Sequence, residues 1–402
     1  MRKTTPTNGT GRWRGNLLLA ALLLLVQPVL AQHRFTRPAH LSEKARIAIL
    51  TISPGAELYT AFGHTAIRIT DPEYGLDELY NYGTFSFEQP GFYLKFCRGQ
   101  LDYFLSAYPF TFGMSEYIEY RRNVIQQTLN LSPAMKQAVY AFLRNNYRPE
   151  NRYYRYDFFF DNCATRIRDV FEQVLGDRLT WHFPSETPRT FRQHLDPYLK
   201  RYPWVHLGID LGLGAKADRP ATPRETMFLP DYVFRAFAGA TVRFQEQERP
   251  LVARTDTLLW FGANPHGGAA LPWPTILFWG LVILVGAGSW KEATSPNKSI
   301  SRMRWADGGL FGVTGLIGVI IALLWFATEH KVTAPNYHLL WAWPTHLPAV
   351  VFLLRRGRPG WFRGYLMVYT AVAAVTLLGW PFWPQEFHPA TLPLVLCLFI
   401  RA

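Results

Sequence analysis

Cysteine is scarce here, with three residues in 402. In an exported protein three cannot all pair. Cys397 falls inside an apolar run away from the others, so a bridge is open only to Cys97 and Cys163. A chain this long does not need one to make up for a small core, which leaves a structural disulfide as the lesser reading of that pair. Repeats and low-complexity tracts are absent. His182, His194 and His206 are spread over an irregular stretch without metal-ligand spacing, so neither a metal nor a cofactor is expected.

Long apolar runs, by contrast, are plentiful. Arg2, Lys3, Arg12 and Arg14 precede the run from Leu17 to Val26 and a small-residue site ending Val29-Leu30-Ala31, which reads as a secretory signal peptide over residues 1–31. Further runs at about 273–290, 308–327, 338–354, 364–381 and 390–400 predict a transmembrane domain of about five helices over 271–402, the last one short. If the preceding domain lies outside, the loops 291–307 and 355–363 are cytoplasmic. They carry Lys291, Lys298, Arg302, Arg304, Arg355, Arg356, Arg358 and Arg363, whereas the outer loops show Lys331. That asymmetry obeys the positive-inside rule and places the domain in the periplasm of a multi-pass inner-membrane protein.

The same topology disposes of the formal net charge of +13. The cations of the leader, the inner loops and Arg401 account for all but about +2 of it, so no nucleic-acid-binding surface is implied.

Residues 32–265 suffice for one domain with a substantial core, and they mix strand-like with helix-like stretches, an α+β composition. Arg46 to Ser53 is β-branched and apolar, Thr65 to Ile69 alternates, and Leu79 to Phe87 is rich in Tyr and Phe, with a turn at Asp71-Pro72 and Gly75. Ser132-Pro133 starts a helix reaching about Asn146. After Cys163, Ala164, Ile167, Val170, Phe171, Val174 and Leu175 recur at helical spacing, with Asp161 or Asn162 as the front cap and Gly176 at the C-cap. Tyr154 to Phe160 suits an extended segment packed on the core. The stretch beyond Thr180 has no clear assignment; a cover for the site or a membrane-facing collar both suit it.

Cys163 at a helix start and His64, delivered by Phe62-Gly63-His64-Thr65 from a strand, are the candidate chemistry. A helix N-terminus favours thiolate, and an imidazole can take its proton. Backbone N–H groups at the helix start are natural oxyanion donors, and Asn81 in Tyr80-Asn81-Tyr82-Gly83 is the candidate to orient the imidazole. The plainer readings are a core histidine and a buried inert thiol.

Glu57-Leu58-Tyr59, Phe62-Gly63-His64-Thr65-Ala66-Ile67-Arg68, Tyr80-Asn81-Tyr82-Gly83-Thr84-Phe85, Pro149-Glu150-Asn151-Arg152 and Tyr156-Asp157-Phe158-Phe159-Phe160-Asp161-Asn162-Cys163-Ala164-Thr165-Arg166 resemble the Lnb N-terminal periplasmic domain family. Asn336-Tyr337-His338-Leu339-Leu340-Trp341 is similar to the membrane part that often follows it. The resemblance implies a lipoprotein N-acyltransferase that moves an acyl chain from a diacylglyceryl group to an amine through a thioester on Cys163. It also implies a circularly permuted papain-like fold related to lecithin retinol acyltransferase and YiiX-like proteins, since His precedes Cys here. The family's third catalytic residue is often a His, and none stands just after His64, a departure that bears on the assignment of Asn81.

The resulting expectation is a cysteine acyltransferase domain on a membrane bundle, with lipoproteins or phospholipids of the inner membrane as partners. A cell-envelope thiol peptidase or amidase, and a non-catalytic module in which Cys163 is structural, are the alternatives. Glu57, Asp157 and Arg166 are candidates for organising the site. Glu329, His330, Asn336 and His338 gather at the outer ends of the second and third spans. Trp273, Trp279, Trp341 and Trp343 read as interface anchors.

Overall fold

The computed structural model describes residues 37–402 apart from 87, 89, 264–267, 295–299 and 356–357. The leader expected over 1–31 and the inner-loop cations Lys298 and Arg356 lie outside the described residues.

The strands are β1 (Arg46–Ile52), β2 (His64–Asp71), β3 (Leu76–Thr84), β4 (Asp102–Pro109), β5 (Val124–Leu129), β6 (Tyr153–Arg155), β7 (Leu179–Thr180), β8 (Thr241–Phe244), β9 (Gln247–Pro250) and β10 (Val252–Leu259). Seven of them form one antiparallel sheet in the order β10-β5-β1-β2-β3-β4-β6. The expected meander is its centre. β2 turns into β3 where Tyr74 N–H donates to Asp71 O and Gly75 takes φ +62°, a conformation that costs a residue without Cβ little.

Around the sheet lie α1 (Phe92–Cys97), α2 (Phe110–Glu119), α3 (Pro133–Asn146), α4 (Cys163–Leu175), α5 (Phe191–Leu199), α6 (Pro203–Gly212) and α7 (Pro230–Gly239). Strand alternation splits the core into two faces. Ile47, Ile49, Ile67, Ile69 and Tyr80 pack against Val139 of α3, Ile167 and Phe171 of α4 and Phe237 of α7. Leu50, Ile52, Ala66 and Leu79 pack on the other face with Tyr117 of α2. The helix start at Ser132 is as its sequence predicts: the Ser132 hydroxyl accepts the Met135 N–H at 3.2 Å.

The aromatic stretch before Cys163 departs from the expected extended segment. After β6 it doubles back in a tight turn, with Asp157 and Asp161 exchanging backbone hydrogen bonds at 3.0 and 2.9 Å. The Asp157 carboxylate accepts the Phe159 and Phe160 N–H groups, and this local alternative to a strand ladder makes the turn. Phe159 then enters a separate cluster with Phe191, Leu195 and Phe228.

Among the described residues three helices are long and apolar enough to cross a membrane: Trp273–Thr294, Met303–Phe326 and Gly360–Leu378. They belong to α8 (Trp273–Thr294), α9 (Ile300–Phe326) and α11 (Gly360–Leu378). The other two apolar runs fold as shorter helices, α10 (His346–Leu354) and α12 (Thr391–Arg401). Arg401 ties the end of α12 to Asp307 of α9, at 2.6 and 2.8 Å, and to Glu292 of α8, at 3.0 Å. Eleven helical residues span only about half of a hydrocarbon core roughly 30 Å thick. Beside it the chain at 327–345 and 379–390 is irregular apart from 3-10 turns at Tyr337–Leu340 and Trp380–Phe382, and Asn336, His338, Gln385 and His388 are buried there in protein.

Residues 41–402 form one compact unit. The stretch beyond Thr180 joins its two halves. Gly214 N–H donates to Val332 O, Ala215 N–H to Pro335 O, Asn336 Nδ2 to Leu211 O, and Gln385 Nε2 to Leu213 O, all within 2.7–2.9 Å.

Candidate active site

Cys163 is the first residue of α4, and its position is fixed by Asn162. The buried Asn162 side chain accepts the Ala164 and Thr165 N–H groups at 2.8 and 2.9 Å and donates to Phe158 O and Phe228 O at 2.7 and 2.8 Å. Thr165 Oγ1 returns the bond to the Asn162 N–H at 2.7 Å, completing a capping box. At the far end Gly176 takes φ +52° and ψ −133°, a backbone conformation open chiefly to glycine, and its N–H donates to Glu172 O.

The start of α4 meets the end of the sheet at β2 and β3. A Cβ built on Gly83, which has φ +90°, would lie 3.4 Å from Cys163 Cβ. The Thr65 N–H faces the thiol from β2. His64 Nε2 lies 2.8 Å from Asn81 Oδ1, so Nε2 carries the proton and donates, and Nδ1 is the free base. Thus Asn81 does stand behind the His64 ring. Alternation puts this pair on the face of Ala66 and Leu79 and puts Thr65, with Cys163, on the face of Ile67, so the imidazole and the thiol start from opposite faces at the sheet end. Among the described residues no hydrogen bond yet joins Cys163 Sγ to the ring.

The electrostatics correct one expectation. Burial holds the Cys163 thiol above its ordinary value, outweighing the Thr65, Ala164 and Cys163 amides and the Arg122 charge, which all pull it down. The helix N-terminus therefore does not produce a resting thiolate. Burial likewise lowers His64 to about 4, against the pull of the Asn81 bond and aided by the Arg122 charge. Near neutral pH the resting pair is a neutral thiol and a neutral imidazole, which suits general-base activation better than a standing ion pair.

Sequence reasoning missed Arg122. It is 4 % exposed, donates from Nε to Ser53 O at 2.8 Å and lies just before β5, whose Val124 shares with His64 the partner Ile52. No local pattern marks it, because strand order alone brings it there. Tyr103 and Tyr156, stacked at 4.0 Å, line the thiol's other side, and burial pushes Tyr103 up to about 12.

The remaining candidates separate. Glu57 is exposed, and the structure gives it no place beside the thiol. Arg166 forms a bidentate ion pair with Asp161 and lies 4.1 Å over the Tyr154 ring, which stiffens the approach to α4. Asp157 holds the preceding turn, and its other oxygen faces Lys331 Nζ at 3.5 Å. Glu329 and His330 dock on the segment after α1, through Gln100 Nε2 to Glu329 Oε1 at 2.6 Å and a His330 Nε2 bond to Cys97 O at 3.1 Å. The outer loop between α9 and α10 thus touches the turn that carries the nucleophile. His182 bonds Thr241 and His194 bonds Tyr232, both ordinary local pairs. Cys97, Cys163 and Cys397 are all free, which removes the disulfide reading.

Residues 31–195 match the family model described as Lnb N-terminal periplasmic domain, and residues 268–402 match that described as Lnb transmembrane domain. No curated protein and no solved structure matches the chain.

Proposed function

Because the chain belongs to the Lnb family through both its periplasmic and its membrane domain, a lipoprotein-processing membrane protein by descent, we propose that it is a cysteine acyltransferase working through Cys163. The observation that carries this is the seating of Cys163 at a capped helix start against Thr65 and Gly83, which lie one and two residues along their strands from the hydrogen-bonded His64–Asn81 pair.

In this reading His64 Nδ1 takes the thiol proton as Cys163 Sγ attacks the ester carbonyl of a diacylglyceryl group. This transfer requires the His64 ring to turn toward Sγ around the end of the sheet when substrate binds, since catalytic bonds often form only in the bound state. The Cys163 and Thr65 N–H groups and the Arg122 charge stabilise the oxyanion. Collapse breaks the ester C–O bond, and the His64 imidazolium returns its proton to the departing alkoxide. An amine, the α-amine of a lipoprotein N-terminal cysteine, then gives up a proton to His64 and attacks the thioester carbonyl. The amide forms and the thiol is regenerated.

The chain order supports a permuted papain-like arrangement, since the His strand precedes the nucleophile helix packed on the same sheet. The membrane part supports a lipid-borne substrate in the inner membrane. Its outer loop abuts the nucleophile turn, so a substrate anchored in the bilayer is held in the plane of the site.

The test is to trap the adduct on Cys163 by mass spectrometry in cells fed a labelled fatty acid. A labelled acyl-thioester is expected. A peptidyl adduct moves the assignment to an envelope thiol peptidase, and no adduct on the wild-type chain overturns the covalent route.

A further inference from the structure

Two helices of the periplasmic domain and the loop entering α12 bring several ligating groups to one place away from Cys163. His206 and Asp210 stand four residues apart on α6, so both leave one helix face. His206 Nε2 lies 3.4 Å from Asp210 Oδ2 and 3.2 Å from Oδ1 of Asp196 on α5. His388, distant in sequence, places its ring 5.0 Å from that of His206, and one ligand atom each from His206, Asp210 and His388 lies within 4.8 Å of the others. Asp210 and His388 are buried, and His206 is half-buried.

His206 Nε2 hydrogen-bonds Asp196 and faces Asp210 at these separations, and the same spacing suits the ligands of a small tetrahedral cation that takes the place of the Nε2 proton. Atoms each about 2.0–2.1 Å from zinc stand roughly 3.3 Å apart. Charge points the same way. Arg192 pairs at 2.8 Å with Asp210 Oδ1 and at 2.7 Å with Asp218, so one cation faces Asp196, Asp210 and Asp218. With neutral imidazoles two negative charges remain, the amount a divalent ion cancels. The Arg192 bond also fixes the Asp210 carboxylate with Oδ2 turned to His206, as outer partners of metal ligands commonly do.

We propose that His206, Asp210 and His388, completed by Asp196, bind one divalent transition-metal ion of the zinc class, pinning α6 of the periplasmic domain to the loop that enters α12. His388 Nδ1 accepts the Ala390 N–H at 3.1 Å, so ligation through Nε2 shifts the ring proton to Nδ1 and gives up that bond. His388 is accordingly the weakest of the four ligands. Every position is filled from the chain, so the role is structural, and it is independent of acyl transfer.

The test uses the full chain purified in detergent, stripped with a chelator and titrated with Co2+ and with Zn2+. About one equivalent per chain with the visible absorption of tetrahedral Co2+ is expected. His206→Gln should abolish binding, and His388→Gln should weaken it about tenfold. Cys163→Ala should leave the stoichiometry unchanged even where it ends activity, which separates this site from the nucleophile. A folded wild-type chain that takes up no metal overturns the proposal, as does metal retained by His206→Gln or lost in Cys163→Ala. If both histidine variants fail to fold, thermal denaturation of the wild type decides: a Tm raised by zinc supports the site, and an unchanged Tm overturns it.

Discussion

Buried polar atoms are paired more fully at the seam between the periplasmic domain and the outer loops, where His338 Nε2 is an exception, than at the end of the sheet. Near Cys163, Thr65 Oγ1, Asn81 Nδ2 and Arg122 Nη2 find no partner among the described residues. At the seam Arg192 binds two carboxylates and two carbonyls, and Asn336 and Gln385 bridge the halves through backbone oxygens. An unpaired buried polar group costs about 1–3 kcal/mol, so a fold keeps several together only where something else supplies their partners. The sheet end has the character of a place prepared for an incoming group, and the seam that of a permanent joint.

The hardest test of that contrast is the nucleophile itself. Cys163→Ala should lower turnover by roughly 10^4-fold or more while leaving abundance and Tm nearly unchanged, since Ala suits a helix start. Cys97→Ala should be silent, because the exposed Cys97 thiol is free. Equal loss of protein in both variants would make the sheet end a structural joint too.

His64→Ala should cost about 10^2–10^4-fold in kcat, the usual worth of a general base, and Asn81→Ala less. The pH profile sharpens this. Only the neutral imidazole accepts a proton, and burial has lowered His64 from 6.5 to about 4, so kcat/KM should rise through about pH 4 and stay flat across neutrality. Arg122→Gln removes a positive neighbour that disfavours the imidazolium, which moves this acid limb upward. A wild-type limb near 6.5 would show a solvated His64 and undo the argument from burial.

Asn162→Ala tests stability and chemistry together. It removes the acceptor of the Ala164 and Thr165 N–H groups, though not the bond from the backbone N–H at 162 to Thr165 Oγ1, and leaves the Phe158 and Phe228 carbonyls without their donor, at a cost of about 2 kcal/mol, read as a lower denaturation midpoint. An unaltered midpoint would mean that α4 is held by its packed face alone.

Where signals are local, the sequence was legible. Asn162, the spacing from Ala164 to Leu175 and Gly176 delimit α4, and Ser132-Pro133 starts α3, because caps and periodicity act within a few residues. His64, Asn81 and Cys163 were named from motif and resemblance, and the structure brings His64 to Asn81 and Cys163 to their strands. Arg122 and the meeting of His206 with His388 depend on strand order and on docking of distant segments, which no window reveals. The protonation of Cys163 was misjudged because the helix N-terminus is visible in sequence and desolvation is not. α12 was expected to be short, whereas the shortness of α10 escaped for a related reason, since hydropathy shows apolar runs but not where irregular chain replaces part of a helix.

The smallest expected effect comes from an ion pair that links the two regions directly. Lys331 Nζ lies 3.5 Å from Asp157 Oδ2, but its side chain is 62 % exposed, so solvent screens the pair and Lys331→Ala should cost well under about 1 kcal/mol. Asp157 keeps its bonds to Phe159 and Phe160 without it, so the turn before Cys163 should hold its shape. Hydrolysis of a small soluble ester should therefore stay within about twofold of wild type, less than 1 kcal/mol of barrier. Severing the chain before Leu271 should remove lipid acylation far more completely than soluble ester hydrolysis, because it takes away the whole outer loop and the delivery of substrate in the plane. A Lys331→Ala variant that lost soluble hydrolysis tenfold would mean that the membrane loop sets the nucleophile turn itself. Seam and sheet end would then be one device, and their contrast would fail.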